Sequence, residues 1–385
     1  LPEGLVYLDG NSLGPLPKSV APRVARTIAG EWGAHLITAW NRDGWMEAPI
    51  RVADRLARLI GAKPGTTVLG DTLSIKVHQA LAAALDLRPD RRVILSDTGN
   101  FPSDLYMAEG LIRQKDKGHV LKTVAPGAVE DAIDRDVAAV LLTHVDYGTG
   151  RMHDMERITK TAHAAGAVMI WDLAHSAGAV PVDLSAHRPE FAVGCTYKFL
   201  NAGPGAPAFI HARPDVAERV APALSGWLGH DAPFAFEPTY RPAPGIERLR
   251  VGTPPIFQIA ALDAALDVWE GLDMGEVRAA SIRLSELFIA EVARTCPALT
   301  LASPRDPAQR GSQVSFRHEE GYAIMQALIA RGVIGDFRAP DILRFGITPL
   351  YLGEHDIRQA VATLAEILAN GLWDTPEYRT RQRVT

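Results

Sequence analysis

The sequence predicts an α/β protein, with a mostly parallel sheet in a large domain and a smaller α+β domain after it. Three observations predict this. From about residue 66 onward, short apolar runs alternate with amphipathic stretches in βαβα order, the pattern of a sheet covered by helices on both faces. The runs themselves, such as Val137-Ala-Ala-Val-Leu-Leu-Thr143 and Ala167-Val-Met-Ile-Trp-Asp172, are almost wholly apolar, as strands buried on both sides are. Beyond about residue 297, strand and helix signals alternate again on a smaller scale. The expected division is an N-terminal segment with helices packing on the small domain (1–65), a large domain (66–270) and a small domain (271–385).

Composition narrows the function. A chain of 385 residues, 47% hydrophobic and 22% charged, has the makeup of a soluble two-domain enzyme. Its net charge of -5 comes with no basic block to follow a phosphate backbone, which argues against nucleic acid as a partner. Cys195 and Cys296 provide neither a disulfide framework nor a metal cluster, and suit a reducing cytoplasm. No run approaches the length of a membrane span, and the opening Leu-Pro-Glu-Gly lacks the regions of a signal peptide. Internal repeats and low-complexity segments are absent.

Taken in order, Asn11-Ser-Leu-Gly14 reads as a turn leading into Pro15. Val20, Val24 and Ile28 make an amphipathic helix, and Val52, Leu56, Leu59 and Ile60 another over 50–60. Between them Trp32, Trp40 and Trp45 fall in an aperiodic segment, where aromatics cover a core edge or wall a ligand. Gly70-Asp-Thr-Leu-Ser74 precedes a helix bearing Val77, Leu81 and Leu85, with Ser74 a plausible N-cap. The free amides of such an end, backed by the helix dipole, form an anion site, although an unliganded cap is the commoner case. Strands follow over 93–96, 119–124 and 137–143, with helices over 103–117 and 154–165. Pro102-Ser103-Asp104 reads by itself as a helix start. Residues 226–255 hold Gly, Pro and aromatics without a period, too apolar for disorder, so this long loop is read as functional. Helical spacing returns over 256–269 and around Ile282–Val292. In the tail a strand is expected over 313–316, a helix over 322–330, strands near Val333 and Leu343, and a last helix over 354–368. Arg344 is a charge inside one of these apolar strands, suited either to a structural ion pair or to clamping a carboxylate through two parallel hydrogen bonds.

The chemistry centres on Lys198, in Phe191-Ala-Val-Gly-Cys-Thr-Tyr-Lys-Phe-Leu-Asn-Ala-Gly-Pro-Gly, an apolar strand-like run breaking into a Gly/Pro loop. A lysine at a strand end, between aromatics, suits Schiff-base chemistry because desolvation favours the free amine. Taken alone it reads rather more readily as a lysine snorkelling to solvent. Asp172 shifts the balance. It closes a buried strand at the carboxyl edge, where open α/β sheets bind ligands, and it precedes Lys198 by about 26 residues. A carboxylate there suits a pyridine cofactor, since it keeps the ring nitrogen protonated and the ring an electron sink. Lys198 and Asp172 together point to pyridoxal phosphate.

The fragments Tyr7-Leu-Asp-Gly-Asn-Ser-Leu-Gly-Pro, Phe101-Pro-Ser-Asp104, Trp171-Asp-Leu-Ala-His175, Tyr197-Lys-Phe-Leu-Asn-Ala-Gly, Gly226-Trp-Leu-Gly-His230 and Arg250-Val-Gly-Thr-Pro-Pro255 occur in order from residue 7. Each is weak alone. As an ordered set, continuing to about residue 370, the chain resembles the kynureninases, pyridoxal-phosphate enzymes of the aspartate aminotransferase fold (fold type I). The resemblance implies hydrolytic cleavage of the Cβ–Cγ bond of L-kynurenine to anthranilate and L-alanine. It puts the cofactor's phosphate on Leu73 and Ser74, its ring against Phe101, and its polar groups on the loop Phe101, Pro102, Ser103 and Asp104, with Thr143 and His175. It gives Lys198 the cofactor's aldehyde, Asp172 the ring nitrogen, and Tyr197 the phosphate and a proton relay. Arg344 takes the substrate carboxylate, with Asn11 and Ser12 bordering the site. It also implies a homodimer in which Trp227 and Thr253 complete the neighbouring subunit's cofactor site.

Family members that prefer 3-hydroxykynurenine carry a histidine near the position of Trp40 and Ser-Asn in place of Gly252-Thr253. The more apolar wall here favours L-kynurenine, with the hydroxylated substrate weaker. Another enzyme of the same fold, a cysteine desulfurase or an aminotransferase, is the first rival; a desulfurase would need a reactive cysteine on a mobile loop, for which neither Cys195 nor Cys296 suits. A nicotinamide dehydrogenase would want Gly-x-Gly-x-x-Gly after the first strand, and none is there. A catalytically silent pyridoxal-phosphate protein is a further alternative, opposed by the presence of Lys198, Asp172 and Arg344.

Overall fold

The computed structural model describes residues 1–382. Its centre is a seven-stranded sheet in the order Thr67–Leu69, Phe209–Ala212, Phe191–Gly194, Val168–Asp172, Val137–Thr143, Val93–Asp97, Val120–Val124. Only Phe209–Ala212 runs against its neighbours; the other adjacent pairs are parallel. Continuous apolar strands can be satisfied only between two helical layers. One face packs on Leu73–Leu87 and Pro102–Lys115, through Val77, Leu81, Ile94, Leu141 and Ile170. The other carries Val140, Leu142, Met169 and Trp171 into a second core. Thr143 lies beside Asp172 in register, and Asp172 beside Val193, so the chemistry-bearing residues share the carboxyl edge.

The small domain is an antiparallel four-stranded sheet, ordered Asp336–Arg338, Ile342–Gly346, Gln313–Arg317, Thr300–Leu301. Phe288, from the helix Met274–Thr295, packs edge-on against Phe316 and Phe345 of this sheet. The helix Glu354–Ala369 adds Ile357, Val361, Leu364 and Ile367 to the same core.

Four expectations need correction. The N-terminal helices do not pack on the small domain: Val20, Val52, Leu56 and Leu59 belong to the large core. Their apolar stripe meets the helix Ile256–Ala265 and the strand Thr67–Leu69, and Arg51 and Arg55 are tied there by Asp263. Only residues near the start join the small domain, where Val6–Tyr7 pairs in parallel with Val333–Ile334. The first helix is regular only over Val20–Arg26 and then widens into a π turn, Thr27–Trp32, which presents Glu31 to Arg23 and to Trp45 Nε1. Ser74 is not an N-cap, because the helix Leu73–Leu87 begins one residue earlier and Thr72 holds the extended cap position. Finally, the strand Phe191–Gly194 stops before Cys195, so Lys198 stands in the following turn rather than at the strand's last residue. That turn closes through Asn201, which donates its amide to Lys198 O at 2.9 Å and adopts φ 58, a left-handed conformation Asn tolerates.

Candidate active site

At the carboxyl edge of the large sheet lies a cavity of about 490 Å³, within the range of small-molecule sites. Ser12, Leu73, Ser74, Phe101, Ser103, Asp172, His175, Tyr197 and Lys198 all line it, so nine of the expected residues converge. They arrive by several different elements. The turn after Gly194 brings Tyr197 and Lys198, the strand Val168–Asp172 brings Asp172, and the helix starts at Leu73 and Pro102 bring the rest of the floor. The N-terminal loop closes one wall: Gly14 donates its amide to Tyr197 O at 2.8 Å. A Cβ on Gly14 would lie 2.3 Å from Lys198 O, so only glycine fits.

Lys198 Nζ sits 3.3 Å from His175 Nε2 and about 6 Å from the ring centres of Phe101 and Tyr197. Burial, then the cations Lys198, Arg344 and Arg338, hold His175 well below its usual range, so its ring is neutral. Burial likewise raises Asp172 to about 6, opposed by Lys198 and by the Ala174 amide, which donates to Oδ1 at 2.8 Å. Asp104 is fully buried, and neither carboxyl oxygen has a partner among the described residues. Burial first and Asp172 second push it far above the carboxylate range. Two buried acids beside one amine, one of them without donors, form a site short of positive charge and hydrogen-bond donors.

A larger cleft of about 710 Å³, between Arg151, His153 and Arg278, lacks this character. There His153 is bonded to Asp97, and Arg157 to Glu130.

The remaining expected residues stand at varying distance from the cavity. Thr143 is buried behind it and donates to Asn100 Oδ1. Pro102 is the first residue of the helix Pro102–Lys115, so it shapes the backbone there. Arg344 is 2% exposed; its Nε donates to Asp336 Oδ1 at 2.5 Å, its Nη2 to Asp336 Oδ2, and its Nη1 to Tyr147 O at 2.5 Å. Nη2 also donates to Ser12 Oγ, at 3.0 Å, which links the guanidinium to the cavity wall. Asn11 is buried nearby and donates to Gln313 Oε1 at 3.4 Å.

Trp40, Trp227, Gly252 and Thr253 do not reach the cavity of their own chain. Trp40 packs edge-on against Trp45, and Trp227 lies against Phe234 in an exposed aromatic row that ends at Phe236.

Over the whole chain, the sequence is 50% identical to the kynureninase of Pseudomonas fluorescens, covering 94% of that protein, and equally so to that of Burkholderia pseudomallei strain 1106a. The chain belongs to the kynureninase family. The kynureninase C-terminal domain model matches residues 277–364, and the DegT/DnrJ/EryC1/StrS aminotransferase family model matches 51–183. Among solved structures, the cystine C-S lyase C-DES superposes with a TM-score of 0.83 at 19% identity, covering 94% of this chain and 98% of that one. A cysteine desulfurase from Thermococcus onnurineus NA1 gives 0.81 at 18% identity, covering 95% of both chains. At such identity these neighbours show the fold alone, which is the expected fold type I.

The kynureninase-family cofactor is pyridoxal 5′-phosphate, and the cavity fits it. Asp172 matches a protonated ring nitrogen and the amides at Leu73 and Ser74 match a phosphate, whereas Asp104, buried close to Asp172 and Lys198 with both oxygens unpartnered among the described residues, does not itself line the cavity. One residue escaped the sequence reading. Asn100 is buried, accepts from the Phe101 amide at 2.7 Å and from Thr143, and donates to Ser96 Oγ at 2.9 Å, so it fixes both neighbours of the cofactor site. The signal was an amide residue immediately before Phe101-Pro102, where a side-chain acceptor holds the turn into a helix.

Proposed function

We propose that this protein hydrolyses the Cβ–Cγ bond of L-kynurenine, consuming one water and releasing anthranilate and L-alanine. The observation that carries it is the convergence of Lys198, Asp172, His175 and Phe101 on one cavity in a chain 50% identical to kynureninases over its full length. Pyridoxal 5′-phosphate, when bound, supplies an electron sink that stabilises negative charge at the substrate's α carbon.

The protein's own residues do the rest. Lys198 Nζ would hold the cofactor through its aldehyde carbon and would take the proton from the substrate Cα. His175, neutral and 3.3 Å away, keeps a second cation away from that amine. Asp172 holds the proton on the ring nitrogen, since a buried carboxylate beside a cation is far better placed than one facing apolar walls. Asp104 and Thr143 receive the ring's polar substituents. Phe101, whose amide is held by Asn100, would pack against the cofactor's ring. Leu73, Ser74 and Tyr197 take the phosphate, and Tyr197 relays a proton to the reacting carbons. Arg344, oriented by Asp336, binds the substrate carboxylate beside Ser12 and Asn11.

Two exposed segments support a homodimer with shared sites. Trp227 is 40% and Phe236 79% exposed, and Gly252 and Thr253 lie on the surface, which suits residues that serve a neighbouring subunit. The free, buried Cys195 and Cys296 suit a reducing cytoplasm. Their burial also speaks against a desulfurase, which needs an accessible thiol. Among the described residues no helix is long and apolar enough to cross a membrane.

The test is direct. Purified protein with pyridoxal 5′-phosphate and L-kynurenine should produce anthranilate fluorescence and an equal amount of alanine. Transamination or sulfur release without anthranilate would refute the assignment.

A further inference from the structure

The helix Leu73–Leu87 buries an apolar face of alanines and leucines, yet carries one lysine that is 1% exposed. Lys76 Nζ lies 3.0 Å from Asp71 Oδ2 and 3.0 Å from Gln79 Oε1. Gln79, itself buried, passes the connection on: its Nε2 donates to Leu249 O at 3.1 Å. Asp71 sits in a left-handed conformation, φ 56, within the turn that delivers Leu73 and Ser74 to the cavity. Its carbonyl accepts the amide of Ala208, another residue of the cavity wall, at 3.1 Å. One buried ammonium thus joins the turn, the helix and the segment that leads through Arg250 to Gly252 and Thr253.

Such an arrangement is poor at generating stability. Only the lysine is buried while the Asp71 carboxylate is about a third exposed, so the pair gains little against the cost of desolvating the amine, whose charged form burial disfavours. What a buried pair does supply is a fixed geometry, because an ammonium between two acceptors admits few alternative positions. We infer that Lys76 is a positioning residue for the anion-binding turn: through Asp71 and Gln79 it locks residues 70–74 and Leu249 in the arrangement that receives the cofactor's phosphate. This rests on the reading that the phosphate sits at Leu73 and Ser74.

The experiment compares pyridoxal 5′-phosphate with pyridoxal, which lacks only the phosphate. Dissociation constants for both are measured by absorbance on the full-length protein freed of cofactor, alongside its melting temperature. Wild type should prefer the phosphorylated form strongly. Lys76→Met should lower that preference at least tenfold while changing pyridoxal affinity less than twofold. Asp71→Asn should do the same, and it keeps the experiment decisive if Lys76→Met folds poorly. The Asp71 side chain is about a third exposed, and Asn tolerates the left-handed backbone. A preference unchanged in both variants, with only the melting temperature lowered, would make Lys76 a structural residue and overturn the inference. Wild type showing no preference for the phosphorylated form would instead refute the phosphate assignment, and the positioning role with it.

Discussion

The two charged ends of the active site are built in opposite ways. Around Arg344 the charges are matched: Asp336 receives two of its N–H groups, Tyr147 O and Ser12 Oγ receive others, and Arg338 adds a second cation to Asp336. Around Asp172 they are not, since among the described residues Asp104 has no donor and Asp172 has the Ala174 amide with nearby hydroxyl and amine groups. At the first end the guanidinium of Arg344 is paired within the folded chain. The second is unsatisfied until a cationic, hydrogen-bonding ligand arrives. Substitutions at the Arg344 end should therefore cost stability as well as substrate binding, and those at the Asp172 end function alone.

The largest effect is expected at Lys198. Lys198→Ala should reduce turnover by at least about a thousandfold, since the proton transfer alone is worth roughly 10² to 10⁴, while the far-ultraviolet circular dichroism stays unchanged. In the wild type, borohydride reduction followed by peptide mapping should mark only the peptide containing Lys198. A label elsewhere would refute its role.

Asp172→Asn tests the unsatisfied end. It should cripple turnover and release pyridoxal 5′-phosphate, yet stabilise the cofactor-free protein at neutral pH. An acid raised to about 6 by folding keeps its proton longer than in the unfolded chain, so stability falls as pH rises from about 4 to about 6. Removing the ionisable group removes that loss, worth up to about 3 kcal/mol from the size of the shift. Melting curves of the cofactor-free variant at pH 5 and pH 8 give the answer. A variant less stable than wild type at pH 8 would show that Asp172 is already compensated within the chain.

At the matched end, Arg344→Lys should raise KM about tenfold or more with a smaller change in kcat, because a lysine cannot reproduce the planar fork. Here, unlike at Asp172, stability should fall as well, for Asp336 loses its bidentate partner. Asp336→Asn should cost roughly 3 to 5 kcal/mol by leaving Arg344 buried without its counter-charge. Unchanged kinetics in Arg344→Lys with a lowered melting temperature would make the pair purely structural.

The smallest effect concerns the substrate ring. If Trp40, Gly252 and Thr253 wall the substrate ring from a neighbouring subunit, kcat/KM should favour L-kynurenine over 3-hydroxykynurenine by about 1 to 3 kcal/mol. Preference for the hydroxylated substrate would refute that wall. In mixtures of Lys198→Ala and Trp227→Ala subunits, recovered activity would support a wall and cofactor site completed across a dimer.

The sequence by itself determined the α/β class, the strand Val137–Thr143 to the residue, the helices Met155–Ala164 and Glu354–Ala369 to within a residue, and the placing of Asp172 at a strand's carboxyl end. These are readable because burial on both faces of a strand, or on one face of a helix, imposes a local period. The tertiary structure decided what no local period encodes. Arg344 alone could be a clamp or an ion pair; the cross-strand register that sets Asp336 opposite it makes it a paired cation. The N-terminal helices carried a clear apolar stripe, but only the fold sets it against the helix Ile256–Ala265, where Asp263 also meets Arg51 and Arg55. Lys76 reads as an ordinary helix lysine until Asp71, in its left-handed turn, and Gln79 close around it. In each case the partner is a polar group brought by the fold, and hydrogen bonds are too short and directional to be inferred before the chain's elements are in place.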